Sequence, residues 1–430
     1  MKENDLIDYA IELGHEVVAI TDHESVANAI KVEKYYKKVK EKNPDFKVIL
    51  GNEIYLVRNG LNRDNFIPKV DKYYHFILLA KDAIGHQQIR EISTRAWLRS
   101  YMARGMRRVP TYYQDLMDII GENPGHVIGS TACLGGALGT QLLKYKETKD
   151  SELLNKICIW IQQMDELFGH GNFFLELQPS ENHEQTYVNR ALVKLSKELD
   201  IPYIITTDTH YLKKEDAAIH KAYLNSQDGD REVDDFYATT YMMDTEELES
   251  HMDLQDDELE FAYENIRKIK DMCEDYSLQK PLSIPRLPWK DLGSYTIDQR
   301  KWGSEIPYLN TFWSSDYDGD NELADAVTLK IMGDVRLQTK EIYDAVNECL
   351  EMTWISSEVN KTHWSSYYLN LQKIITECWN AGTLVGCGRG SGVGFILLYL
   401  LDITQINPLW ESTQTFAWRF LNPERVSVLD

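Results

Sequence analysis

The sequence predicts an α/β protein of more than one domain, in which a barrel-like unit comes first, a helical connector follows, and a second α/β segment closes the chain. Three observations carry this reading. At 430 residues the chain is longer than one ordinary core serves. Its first 215 residues alternate between strand-like and helix-like apolar patterns. A proline-punctuated stretch, PLSIPRLPWK at 281–290, then separates two regions of different character.

Taken in order, an amphipathic helix over 5–13 leads into a β-branched apolar run at 16–21. A helix over 25–42 and a strand over 47–56 follow. Further strands are expected at 75–80, 126–130, 173–178 and 203–207, with helices over 87–98, 152–167 and 184–199 between some of them. Such alternation implies parallel strands covered by helices. Six strands with helices outside point to a barrel, and the pattern alone leaves an open sheet as the alternative. The expected boundaries are therefore a barrel over 1–215 and a helical extension with its connector over 216–290. Residues 291–364 are polar, acidic and unassigned. The last segment, 365–430, reads as a helix over 367–381, a strand over 383–386, a glycine-rich turn and a helix over 394–401.

Composition narrows the classes. A hydrophobic fraction of 43% with 27% charged residues is that of a globular protein. No apolar run approaches the ~18 residues of a membrane helix. The start, MKENDLIDYA, lacks the basic and then apolar pattern of a signal peptide. Six cysteines form no CxxC pair, so neither a zinc ribbon nor a disulfide framework is indicated, and a reducing cytoplasm is the simplest home. The net charge of −22 argues against a chain that grips DNA over its whole surface. Arg95, Arg99, Arg104, Arg107 and Arg108 cluster with no acid between them, and read as a solvated helix and loop.

Metal-ligand residue types recur at strand ends. VVAITDH places Asp22 and His23 after a strand, ILGNEIYL places Glu53 within one, and YYHFILLA starts one with His75. GSTACLGG puts Cys133 just past a strand, and IITTDTHYL ends one with Asp208 and His210. Residues two apart on a strand share a face, so Asp208 and His210 can reach one ion. A lone TDH or DTH is usually a cap or turn, and Cys133 alone is a small core residue. It is the repetition over several strands that points to zinc, manganese or iron. His15, His126, His170 and His183 fall in turns or at helix ends and read as solvated.

At these residues the chain resembles a known family. Through AITDH, GNEIYL, HFILLAKD, STACLGG, FLELQ and TTDTHYLKKEDA, residues 6–212 resemble the PHP domain, a metal-dependent phosphoesterase barrel at the N-terminus of the bacterial DNA polymerase III alpha subunit. The resemblance implies that His23, Glu53, His75, Cys133, Asp208 and His210 stand at ligand positions for Zn2+ or Mn2+, with Asp22 orienting a ligand. The family opens with a strand bearing His-x-His, and Met1 falls just ahead of the helix that should follow it. A gap with exposed strand edges is therefore expected, with an incomplete, mainly structural barrel rather than a full trinuclear site.

A second motif is LVGCGRGSGVGFILLYLLDITQINPL, where Gly386, Gly388, Gly390, Gly392 and Gly394 let the backbone approach a ligand. A following helix would aim its amides at the same place, and Arg389 and Ser391 suit phosphate. Spacing alone leaves a ligand-free tight turn equally open. GRGSG followed by DIT, NPL and RFLNPERVS resembles the palm of the polymerase III alpha subunit. That implies triphosphate binding by Gly388, Arg389, Gly390, Ser391 and Gly392, with Arg425 nearby. It also places Asp430 as the first of two catalytic aspartates that hold Mg2+, with Leu429 where the family has proline. DYDGD (Asp316, Asp318, Asp320) fails as an EF-hand because Gly319 is misplaced, and reads as a solvated acidic turn.

The expected function is the N-terminal part of a replicative, DNA-directed DNA polymerase, a nucleotidyltransferase that is inactive alone. Its partners would be DNA primer-template, deoxynucleoside triphosphates and the missing C-terminal polymerase part or a replisome subunit, with no membrane. Two alternatives stand beside it: a phosphoesterase or 3′–5′ exonuclease working through the barrel, and a non-catalytic subunit of a split polymerase.

Overall fold

A computed structural model describes residues 2–57, 73–103, 106–226, 237–281, 283–286, 296–410 and 416–424. The chain divides into two units, Met1–Gln279 and Lys280–Asp430.

The first unit is mixed α/β. Its strands are β1 (Val17–Ile20), β2 (Lys47–Val57), β3 (Tyr73–Ala80), β4 (Tyr101–Ala103), β5 (Met106–Arg108), β6 (Pro110–Thr111), β7 (Val127–Ser130), β8 (Phe173–Leu177) and β9 (Tyr203–Ile205). The helices are α1 (Glu3–Glu12), α2 (Ala29–Lys40), α3 (Ala83–Leu98), α4 (Tyr113–Leu116), α5 (Ala137–Thr148), α6 (Ser151–Phe168), α7 (His183–Leu199), α8 (Ala217–Asn225), α9 (Thr245–Ser250) and α10 (Asp256–Met272). Side-chain oxygens of Asp82, Asp150 and Asn182 accept from the first-turn amides of α3, α6 and α7 and fix where those helices begin.

The main sheet runs β1-β2-β3-β7-β8-β9, with β6 against β2, so β1 and β9 stand at its two ends. The expectation of parallel strands throughout is corrected here. β1–β2, β7–β8 and β8–β9 are parallel, but β3 lies antiparallel to both neighbours. The sequence between β2 and β3 carries no helical pattern of the kind a parallel crossover uses. The short β4–β5 hairpin, with Tyr101 opposite Arg108, was not foreseen either.

Strand alternation divides the apolar side chains between two faces. Phe76, Leu78, Phe173, Leu175 and Leu177 pack outward with Ile89, Ile161, Phe168 and Leu192 of the covering helices. Ile49, Leu79, Ile128, Phe174 and Ile204 pack on the inner side with Ile269 and Cys273. Residues 216–279 share these cores. Leu259 and Ala262 of α10 join the outer cluster, while Asn265 donates to the Tyr203 carbonyl at 3.0 Å. Close approach of α3 to the start of β7 depends on Gly85, where a Cβ would lie 1.9 Å from the His126 carbonyl oxygen.

The second unit is helical. It comprises α11 (Gln299–Glu305), α12 (Tyr308–Trp313), α13 (Asp318–Gly333), α14 (Lys340–Asn360), α15 (Trp364–Asn380) and α16 (Ile396–Leu400). Trp302, Phe312, Val327, Val346, Leu350, Tyr368, Phe395 and Leu397 form one core, so the segment 296–364 that the sequence left unassigned supplies most of it. The expected strand at 383–386 does not form. Leu384 is 93% exposed, and no strand of this unit lies among the described residues to pair with it. The expected helix over 394–401 becomes a tight turn at Ser391–Gly394 and the short α16.

DYDGD is not a wholly solvated turn. Asp316 and Asp318 are exposed, and Asp318 pairs with Arg286 at 3.0 Å, but Asp320 is 2% exposed. It accepts from Ser315 at 2.7 Å, Ser365 at 2.5 Å and His363 Nδ1 at 3.2 Å, which ties the first turn of α13 to the start of α15.

Phe76, Phe168 and Phe173 form a triangle of near-parallel rings, with centroids 5.8, 6.3 and 6.2 Å apart. Phe76→Ala should therefore destabilise the first unit by ~3–5 kcal/mol. Hydrogen exchange is expected to show lost protection of the β3 and β8 amides, with 296–410 unaffected.

Candidate metal centre and nucleotide loop

The metal-ligand types in the sequence converge at one end of the curled sheet. Main-chain pairing brings them together: His23 bridges to Glu53, and Tyr55 lies opposite His75 on β3. Glu53 and Tyr55, two apart on β2, therefore share a face with His75. Asp22 supports this arrangement through its backbone. Its carbonyl accepts the Asn52 side chain at 2.9 Å and the Glu53 amide at 3.2 Å, while its carboxylate is taken by Asn28 at 3.1 Å.

Glu53 is buried and holds two imidazoles, with Oε1 2.6 Å from His75 Nδ1 and Oε2 3.5 Å from His23 Nδ1. His23, Glu53 and His75 each offer a ligand atom within 4.8 Å of the others, close enough for one ion. Cys133 Sγ lies 3.6 Å from His75 Nδ1. The His210 ring centroid is 6.0 Å from that of His23, and its Nδ1 meets the Asp208 carbonyl at 2.7 Å. Asp208 adopts a left-handed φ of 46°, so its carboxylate turns back to within 3.6 Å of His210 Nδ1.

The electrostatics are those of an acid-rich interior. Burial raises the Glu53 pKa, but the His75 hydrogen bond and the charges of His23 and His75 outweigh it, so the carboxyl titrates below its usual range. For Asp208, burial and the neighbouring Glu53 outweigh the His210 charge and push it up to about 7. Burial and nearby carboxylates hold the Cys133 thiol well above its usual value. Burial lowers His23, whereas the Glu53 contact raises His75 against its own burial.

Two buried acids escaped notice in the sequence. Glu176, in the middle of β8, points inward and accepts from Ser130, from Thr206 at 2.5 Å and from Gln178 at 3.1 Å, and burial raises its pKa. A charged residue inside an otherwise apolar strand was the available signal. Glu24, beside His23, accepts the Tyr55 amide, and burial raises it to about 8. A cavity of about 680 Å3 opens between the two end strands. Val17–Ile20 line one side and Ile204–Thr207 the other, with Glu53, Glu176 and Asp208 reaching into it.

Three of the four histidines read as solvated have partners of their own, while His183 is exposed. His126 Nδ1 meets Asp82 at 2.6 Å, His170 pairs with Asp165, and His15 Nε2 contacts the Met243 carbonyl at 2.9 Å. The arginine cluster is also partly engaged, since Arg99 forks onto buried Asp115 and Arg95 reaches Glu91 at 2.7 Å.

In the second unit Gly388 and Gly390 take positive φ values of 128° and 82°. A Cβ at Gly388 would meet Val393 at 2.7 Å and Thr404 at 3.2 Å, so glycine is required where the loop folds onto the following turn. The Gln405 amide donates to the Cys387 carbonyl at 2.9 Å and anchors the loop. Arg389, Gly390 and Ser391 face solvent, and Gly392 is half-buried. Arg425 and Asp430 lie outside the described residues.

Residues 1–180 match the PHP domain, and residues 328–430 match the bacterial DNA polymerase III alpha NTPase domain. Among curated relatives, the chain is 36% identical over 454 residues to a probable DNA polymerase YorL of Bacillus subtilis (strain 168), covering 99% of this chain and 34% of the relative. It is 28% identical over 444 residues to a DNA polymerase III subunit alpha of Borreliella burgdorferi, covering 100% and 33%. The chain thus spans about a third of the length of these relatives. A solved structure described as a putative metal-dependent phosphoesterase from Bifidobacterium adolescentis aligns with a TM-score of 0.32 at 11% identity, covering 64% of this chain and 92% of that one. No helix among the described residues is long and apolar enough to cross a membrane.

Asp208 gives a pH-dependent test. Its folded pKa of about 7 exceeds the ~3.9 of an unfolded aspartate, so without metal its ionisation destabilises the fold, increasingly from about pH 4 to pH 7. Metal-free Asp208→Asn should therefore be more stable than the parent at pH 8, by ~1–3 kcal/mol. The advantage should vanish near pH 4, as read by thermal melts across that range.

Proposed function

We propose that this chain, a relative of bacterial DNA polymerase III alpha subunits that carries their PHP domain and a match to their NTPase domain, is the front part of a replicative DNA-directed DNA polymerase. The observation that carries the reading is the order of its two parts: a PHP-type sheet with clustered metal ligands, then a helical unit presenting the Gly388–Gly392 loop. In this reading residues 365–430 begin the palm. Gly388, Arg389, Gly390, Ser391 and Gly392, with Arg425, would hold the triphosphate of an incoming deoxynucleotide. Asp430 would contribute to Mg2+ binding opposite a DNA primer-template, in the cytoplasm.

The first unit fits a metal ion by its donors. Two imidazoles, a buried two-oxygen carboxylate and a thiol suit Zn2+ or Mn2+. His23, Glu53 and His75 would hold such an ion, with Cys133, Asp208 and His210 beside them. Bound there, it would polarise a phosphoryl oxygen or activate a water. The chain's own residues set the electrostatics: Glu53 stays ionised between its histidines, and Asp208 is poised to release a proton on binding. This cluster keeps a second reading open, a phosphoesterase or 3′–5′ exonuclease in the first unit. The open cavity between β1 and β9, which no strand among the described residues fills, favours a mainly structural role over that second reading.

Elemental analysis of the purified chain should find fewer than three tightly held transition metals; a full trinuclear complement would contradict the incomplete-centre reading. Nuclease or phosphatase activity that disappears in His210→Ala would favour the phosphoesterase.

Primer extension should be undetectable with residues 1–430 alone and appear when a downstream polymerase polypeptide is supplied. Two-metal transfer needs carboxylates fixed around both ions, and the chain spans about a third of the length of its polymerase relatives. In the completed polymerase, Arg389→Ala should weaken nucleotide use by roughly tenfold or more, since a charge-assisted phosphate contact contributes ~1.5–3 kcal/mol. Template-directed extension by the chain alone, abolished in Asp430→Ala, would overturn the proposal.

A further inference from the structure

His210 stands at the candidate metal centre outside any strand, beyond the end of β9, and its amide donates to the Thr240 carbonyl at 2.8 Å. Its Nδ1 lies 2.7 Å from the Asp208 carbonyl, which can only accept. Nδ1 therefore carries the proton, and Nε2 keeps the lone pair that a cation needs. A ligand on irregular backbone depends on packing to hold its ring, and here other rings supply it. His220 of α8 lies 5.6 Å from His210 and Tyr237 lies 5.1 Å from it, both edge-on, with His220 and Tyr237 4.9 Å apart. Tyr211 backs His220 at 5.4 Å, and its hydroxyl donates to the Tyr237 carbonyl at 2.6 Å. Tyr211, His220 and Tyr237 thus brace one another, and His210 packs against two of them. His220 is half-buried, and neither of its nitrogens has a hydrogen-bond partner among the described residues, so its ring is what it contributes. It lies outside residues 1–180, which match the PHP domain.

We propose that His220 is a positioning residue of the metal centre. With Tyr237 it clamps the His210 imidazole, keeping Nδ1 on the Asp208 carbonyl and Nε2 available to a cation beside His23, whose ring is 6.0 Å away. The inference rests on the metal-centre reading and adds to it a residue that touches no ion. Without the clamp the His210 ring gains rotamers in which Nδ1 leaves the carbonyl, and refixing it on binding lowers metal affinity. Edge-to-face contact is open to any aromatic ring, so His220→Phe preserves the clamp. A ligand role for His220 itself would need a nitrogen, which that variant removes.

The test compares the full chain with its His220→Ala and His220→Phe variants by two readouts. In the metal-free protein at pH 8, long-range 1H–15N correlation should show His210 as one tautomer, protonated on Nδ1, in the parent and in His220→Phe. His220→Ala should show a mixture. Titration with Co2+, followed by its visible absorption, should find affinity lowered on the order of tenfold in His220→Ala, with affinity and spectrum kept in His220→Phe. Circular dichroism checks the fold, and Tyr237→Leu, which removes the other ring, serves by the same readouts if His220→Ala does not fold. A single tautomer that survives His220→Ala, or one absent from the parent, overturns the proposal. So does an equal loss of Co2+ affinity in the Ala and Phe variants, which would make His220 a ligand. A parent chain that takes up no Co2+, yet holds its His210 tautomer through His220, defeats the metal reading alone.

Discussion

The first unit is organised around a carboxylate that is expensive to bury. Glu53 sits mid-strand in β2, and an isolated charge there would cost several kcal/mol. Its contacts with His75 and His23 make the burial tolerable. They also fix the register of β2 against β3 and hold the segment after β1 in place. The surrounding acids extend the constraint. Burial drives Asp208 and Glu176 toward the protonated form, and the charge of Glu53 adds to it. The interior therefore stores a repulsion that a divalent cation would relieve, and binding one would release protons. The centre's shape and its electrostatic demand point to the same occupant.

Much of this unit was legible because its signals were local. The ligand residues sit on or beside strands whose apolar runs are unambiguous, and two-residue spacing along a strand already shows which side chains share a face. Three features stayed hidden for physical reasons. The reversal of β3 against both neighbours stayed hidden because strand-pair direction leaves no mark on strand periodicity. Glu176 is one acid in an apolar strand, and its role shows only when Ser130, Thr206 and Gln178 converge on it from other positions. The β4–β5 hairpin is too short for a period to emerge, although its arginines stood out by charge.

The second unit was harder to read because its helices carry weak amphipathic signals and mix polar residues into the core. Asp320 illustrates this. In the sequence it belongs to an acidic run, and its burial follows from Ser315, Ser365 and His363 closing around it. The glycine motif, by contrast, announced its loop but not its flanks. Residues 383–386 have the composition of a strand without a neighbouring strand among the described residues, and an isolated strand has no stability of its own.

The two candidate sites differ in how much of their environment they bring with them. The metal cluster is built on a buried carboxylate, Glu53, although His23 beside it is exposed, so the Glu53 charge interacts strongly within this unit. Arg389 and Ser391 face water, where a guanidinium–phosphate contact is heavily screened. The short α16 adds little, since one turn and a half sums only a few peptide dipoles. The loop's shape is nevertheless settled: Gly388 is pressed against Val393 and Thr404, and Phe395 is packed against Phe420 with ring centroids 4.9 Å apart. A loop with fixed geometry and exposed donors holds any anion weakly until another surface excludes water from it.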